Sequence, residues 1–201
     1  MLQVDPAKYK YAHTALMPKL YICFLRANSE LLQKHVLNSA AALFAPSSGN
    51  GSPMVHAEIF FPVSDDKASV LGKSCGIHYG GQVFMAEKRF SKTTWEFRAI
   101  TCSDQSYTKM LDYCRSQRGG DFNYMGYFTP CGISMQSRLH EKTPQRWYCS
   151  ELCAAILHHG DIVDCDMNPE CAAHPQTLYN TILPFTFADC GRNIAEACLQ
   201  I

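Results

Sequence analysis

Arg146-Trp147-Tyr148-Cys149-Ser150-Glu151-Leu152-Cys153 is the stretch on which the reading of this chain turns. Two aromatic residues precede a cysteine, and from Ser150 a run with Leu152, Ala155 and Ile156 at helical spacing continues to His159 and stops at Gly160. The pattern predicts a helix from about Ser150 to His159, with Cys149 where extended chain turns into helix. That junction matters chemically. Amides of a first helical turn have no carbonyl one turn earlier, and together with the positive end of the helix dipole they stabilise a thiolate, the nucleophilic form of cysteine. The same amides can receive the oxyanion of a tetrahedral intermediate. The plainer reading of Cys149 is a small buried side chain. Cys153 lies deeper in the helix, away from such amides, and is read as packing; Trp147 and Tyr148 suit either a cleft wall or the core.

Upstream, Val55-His56-Ala57-Glu58-Ile59-Phe60-Phe61 alternates as a strand. His56, Glu58 and Phe60 share one face; Val55, Ala57, Ile59 and Phe61 form a wholly apolar one, expected to be the packed side. The segments 75–79, 82–86 and 94–100 are also short, aromatic or β-branched, and separated by turn signals of which Gly80-Gly81 is the clearest. Together they predict an antiparallel meander. Ser103 then opens a helix whose Tyr107, Met110, Leu111 and Cys114 make one face and which ends at Gly119-Gly120. Strands followed by helices indicate an α+β domain.

A histidine strand, a meander, a helix, the segment Gly119-Gly120-Asp121-Phe122-Asn123, and then Tyr148-Cys149-Ser150-Glu151-Leu152 at a helix start resemble the permuted branch of the NlpC-like, papain-fold superfamily, of the YiiX-like kind. The tail, His174-Pro175-Gln176-Thr177-Leu178-Tyr179, is similar to the closing segment of those chains. The likeness covers roughly residues 54 to 184. It implies a permuted papain-like fold, an antiparallel meander against helices, with Cys149 as nucleophile and His56 as general base. It also implies a third polar residue that orients the histidine, because a hydrogen bond to the distal ring nitrogen selects the productive tautomer. His78 on the next strand is favoured for that position; Gln82, Glu87 and Glu58 are the alternatives.

The N-terminal part reads differently. Ser29 is a plausible N-cap for a helix over 30–44, and Pro46 to Pro53 is a turn-rich run, so residues 1–53 are expected to form a helical extension and linker, and 54–201 the catalytic domain. Leu20 to Leu25 is apolar but too short for a signal segment or a membrane span. Eighteen basic residues balance eighteen acidic ones, so charge recommends neither nucleic acid nor an anionic membrane as partner. Eleven cysteines, an odd number without a C-x-x-C pair, point to free thiols and a reducing, cytoplasmic home. Cys165, Cys171 and His174 lack a fourth ligand and the usual zinc spacing, so no metal and no cofactor is expected.

These readings converge on a thiol hydrolase that cleaves an amide bond in a peptide, isopeptide or other acyl-amide substrate. A lipid acyltransferase, phospholipase or thioesterase would use the same Cys149 and His56. Against it, Tyr148-Cys149-Ser150-Glu151-Leu152 stands where those relatives carry Asn-Cys-Glu-His-Phe. A binding or structural module on the same fold is the non-enzymatic alternative.

Overall fold

The computed structural model describes residues 19–27, 42, 45, 52–128, 144–162, 174–182 and 185–187 of the 201-residue chain. Its strands are β1 (Lys19–Arg26), β2 (Met54–Asp65), β3 (Ser69–Gly76), β4 (Phe84–Ser91), β5 (Trp95–Thr101) and β6 (Phe185–Phe187). Its helices are α1 (Asp104–Gln117), α2 (Tyr124–Phe128), α3 (Cys149–His159) and α4 (Pro175–Thr181). The strands form one sheet in the order β4-β3-β2-β1-β5-β6, antiparallel except for the β5–β6 pair. The α+β class is as the alternation predicts, but the meander is only partly so: the second strand is 69–76 rather than 75–79, and β5, expected to follow β4, pairs with β1 instead.

The fate of β1 overturns the expected domain boundary. Residues 19–26 are not part of an extension: β1 lies between β2 and β5 and pairs with both, Leu25 opposite His56 and Cys23 opposite Phe97. Leu20, Ile22, Cys23 and Phe24 are fully buried. The reason is strand geometry. A short apolar run with no internal partner must find both hydrogen-bonding neighbours in distant chain, and it buries both faces only at the middle of a sheet. Apart from Ala42, which is helical, the expected helix over 30–44 and most of the linker lie outside the described residues.

Leu20, Ile22, Phe24, Ala57, Ile59 and Phe61 pack with Met110 and Cys114 of α1 and Leu152, Cys153 and Ile156 of α3. The other face is not open, as alternation had suggested. Phe60 and Glu58 are fully buried there, and Tyr21, Cys23, Val70 and Phe90 form a second apolar cluster beneath Trp95 and Phe97. Among the described residues, large aromatic side chains of neighbouring strands line that face.

The two main helices begin and end where the sequence indicates. Ser103 caps α1, its side chain accepting from Ser106 N at 3.1 Å, and Gly119 just beyond the end has φ +86°, the left-handed conformation that terminates helices at low cost in glycine. Helix α3 stops at Gly160. Among the described residues no helix is long and apolar enough to cross a membrane.

Candidate active site

Cys149 is the first residue of α3, after Tyr148 in extended conformation. The segment before it is clamped from both sides. Trp147 N donates to Asp121 O at 3.0 Å and Asn123 N to Trp147 O at 2.9 Å, so the Gly119–Asn123 segment runs alongside the approach to the nucleophile. Trp147 Nε1 donates to Gln117 Oε1 at 3.0 Å, which makes Trp147 a core residue. The Glu151 carboxylate accepts from Asn123 Nδ2 at 3.1 Å and from Tyr148 N at 3.4 Å, closing the first helical turn back on its N-cap. Asn123 and Glu151 were not singled out as site residues; Glu151 three positions after the N-cap was the available signal.

His56 is placed by the start of β2, where Met54 N donates to Gln176 Oε1 of α4 at 2.8 Å. Its ring lies close enough to the Cys149 side chain for that group's charge and hydrogen bonding to act on it. Its Nε2 lies 3.1 Å from Glu58 Oε1. The imidazole side chain is only 12% exposed, between the rings of His78 (centroids 5.4 Å apart, stacked) and Trp95 (6.1 Å, edge-on). The two residues singled out as nucleophile and base are thus brought together from positions 93 residues apart.

The third position is the correction. His78, expected to orient His56, stacks on its ring and on that of Phe84 at 4.8 Å, while the hydrogen bond at His56 Nε2 is made with Glu58. Gln82 is turned away to Asp121 Oδ1 at 3.1 Å, and Glu87 is exposed on β4. Glu58 holds the place. A residue two positions along the same strand projects from the same face, so it reaches the ring edge without depending on the register of a neighbouring strand.

Glu58 is itself fully buried and heavily partnered. Its oxygens accept from Lys88 Nζ at 2.9 and 3.0 Å and from the Ser74 hydroxyl. Gly76 makes room for it: a Cβ there would stand 2.8 Å from Glu58 Cγ, too close for any substituted residue without displacement. Burial alone would raise the carboxyl, but hydrogen bonding and charge from His56, then Lys88 and Ser74, overcome it and lower Glu58 from its ordinary 4.5 to about 2. For His56, burial works against the charged ring; negative charge and hydrogen bonding from Cys149, then from Glu58, outweigh it and raise the ring from 6.5 to about 10.

Ligand atoms of His56, Glu58 and His78 lie within 4.8 Å of one another, a donor set that a divalent cation could use. The Lys88 ammonium already sits on both Glu58 oxygens, where such a cation would bind. Of the expected non-zinc trio, His174 caps α4 by accepting from Gln176 N at 3.0 Å, while Cys165 and Cys171 lie outside the described residues.

Aromatic side chains gather beside the nucleophile. Tyr127, whose hydroxyl is raised to about 12 by burial and then by charge at Cys149, contacts Tyr148, Phe122 and Tyr79. Tyr124 and Met125 extend the group to the surface, 48% and 76% exposed. Comparisons with protein-family models, with curated proteins and with solved structures find no match for this chain.

Proposed function

We propose that this chain is a cysteine hydrolase of the permuted NlpC-like, papain-fold type that cleaves an amide bond through Cys149. The observation that carries the reading is His56, hydrogen-bonded to Glu58 and close beside Cys149, with Cys149 at the first position of a helix. His56 takes the thiol proton, the sulfur attacks the substrate carbonyl, and the first-turn amides of α3 receive the oxyanion. His56 then protonates the leaving amine, and water, deprotonated by the same ring, releases the acyl group. Glu58 is a positioning residue that fixes the tautomer and orientation of His56. Six described cysteines are free thiols, which fits a reducing compartment.

One observation favours a second substrate class. The exposed apolar group of Tyr79, Tyr124 and Met125 next to Tyr127 would suit an apolar acyl chain, and a thioester intermediate serves lipid substrates equally well. The test is turnover on a panel of peptide, isopeptide, thioester and phospholipid substrates, with Cys149→Ala as control. Release from peptide or isopeptide by the wild type alone supports the proposal, and release from phospholipid alone favours the second class. Equal behaviour of the two proteins on every substrate would leave a binding module.

A further inference from the structure

We propose that Lys88, assisted by Ser74, is a positioning residue that keeps Glu58 anionic during the half of the cycle in which His56 carries no proton. The inference rests on the hydrolase reading above. Its ground is the environment of Glu58, a carboxylate with no solvent exposure. A lone carboxylate in such a place takes up a proton rather than stay charged.

The described groups that face Glu58 come from every neighbouring element. They are His56 on its own strand, His78 just beyond β3, Cys23 on β1, Ser74 on β3, Lys88 on β4 and Cys153 on α3. Burial pushes both thiols well up, so they remain uncharged. The cationic groups hydrogen-bonded to Glu58 are His56 and Lys88. They differ in one respect: the imidazolium exists only while its proton has not been given away, whereas Lys88 takes no part in the proton transfers.

The distinction acts at the acyl-enzyme. Once the sulfur is esterified, Cys149 has lost its charge, His56 has passed its proton to the leaving group, and the Glu58 carboxylate depends on Lys88 and the Ser74 hydroxyl. If Glu58 were protonated at that point, it would no longer accept from His56, and the ring would lose the tautomer needed to deprotonate water. Lys88 is well held for the task, with 26% side-chain exposure and its ammonium 4.0 Å from the centroid of the Phe84 ring.

The test uses the full chain with p-nitrophenyl acetate as an acylating probe. The Cys149 sulfur bonds the acetyl carbon as p-nitrophenolate leaves unprotonated, and the imidazolium, no longer facing a charged sulfur, releases its proton to solvent; water then adds, giving a proton to His56, and the carbon–sulfur bond breaks to release acetic acid, which ionises, and to restore the Cys149 thiolate beside the His56 imidazolium. Intact-mass spectrometry follows the acetylated protein and absorbance follows the phenolate. In Lys88→Met, acetylation should change by less than about threefold, whereas thioester hydrolysis at pH 6 should slow by about tenfold or more. The acid limb of hydrolysis should move up by about one pH unit, a tenfold change in proton affinity. Lys88→Arg should restore both, and Ser74→Ala should move the limb in the same direction by less.

Equal slowing of both steps with an unmoved limb, or Lys88→Arg behaving as Lys88→Met, would overturn the assignment. Should Lys88→Met fail to fold, Ser74→Ala decides alone: a displaced limb supports the proposal and an unmoved one refutes it. A wild type that is never acetylated at Cys149 removes the hydrolase reading, and this inference with it.

Discussion

Glu58 Oε1 stands 3.1 Å from Nε2 of His56, two residues earlier on the same strand, and occupies the place assigned beforehand to His78. Removing the carboxylate charge should therefore cost far more activity than removing the stacked ring. Glu58→Gln is expected to lower turnover by about a hundredfold or more, and His78→Ala by less than about tenfold, measured as kcat/KM on the substrate class that the panel identifies. The reverse order would return the third position to His78.

Cys149 and His56 should behave as one unit. Cys149→Ala and His56→Ala are each expected to abolish turnover, with the double variant no worse than Cys149→Ala. Cys149 is 5% exposed, so its loss removes some buried contact; a melting-temperature change within about 5 °C, equivalent to a kilocalorie or two in a chain of this size, is expected by calorimetry. A larger fall would assign the sulfur a core role.

Stability should peak between about pH 4.5 and 6.5. Glu58, lowered from 4.5 to about 2, contributes stability that is present above 4.5 and lost as the pH falls through 2. His56, raised from 6.5 to about 10, contributes stability that is present below 6.5 and lost as the pH rises through 10. Calorimetry of His56→Gln against pH should show a flatter alkaline side than the wild type. Parallel alkaline slopes in the two proteins would refute the coupling of His56 to its anionic neighbours.

Among the described thiols, iodoacetamide near neutral pH should label Cys149 first. Cys23, Cys114 and Cys153 are buried and pushed well up, chiefly by desolvation, and Cys102 is raised to about 11 by burial and then by Asp104. Cys149 instead stands at a helix N-terminus beside His56. Peptide mapping at limiting reagent checks this; earlier labelling of Cys153 would displace Cys149 as nucleophile.

A chain beginning at Met54 should not fold. It lacks β1, which pairs along both edges and contributes the buried Leu20, Ile22 and Phe24. Circular dichroism and hydrogen exchange should find it unfolded, in contrast to the stable fragment that a linker boundary alone would suggest. Native-like exchange protection in β2 and β5 of that chain would show β1 to be dispensable.

Local signals in the sequence carried the elements that hold the nucleophile. Ser103 and Gly119 bracket α1, Gly160 closes α3, and the junction at Tyr148-Cys149 is where the extended chain ends, because caps and helical spacing act within a few residues. His56 and Glu58 were legible as one strand face for the same reason. Lys88 was not, since in Phe84-Met85-Ala86-Glu87-Lys88-Arg89-Phe90 nothing separates an ammonium destined for a buried carboxylate from one bound for solvent.

What sequence alone determined about this protein is its α+β class, the helix start beneath Cys149 and the pairing of Cys149 with His56 as candidates; what tertiary structure alone decided is β1 at the middle of the sheet, Glu58 rather than His78 on the imidazole, and Lys88 on Glu58. The division follows the reach of the forces. Capping, helical spacing and strand alternation are set by neighbours along the chain, whereas the partner of a buried charge and the place of a strand depend on which distant segments offer the missing hydrogen bonds and counter-charge.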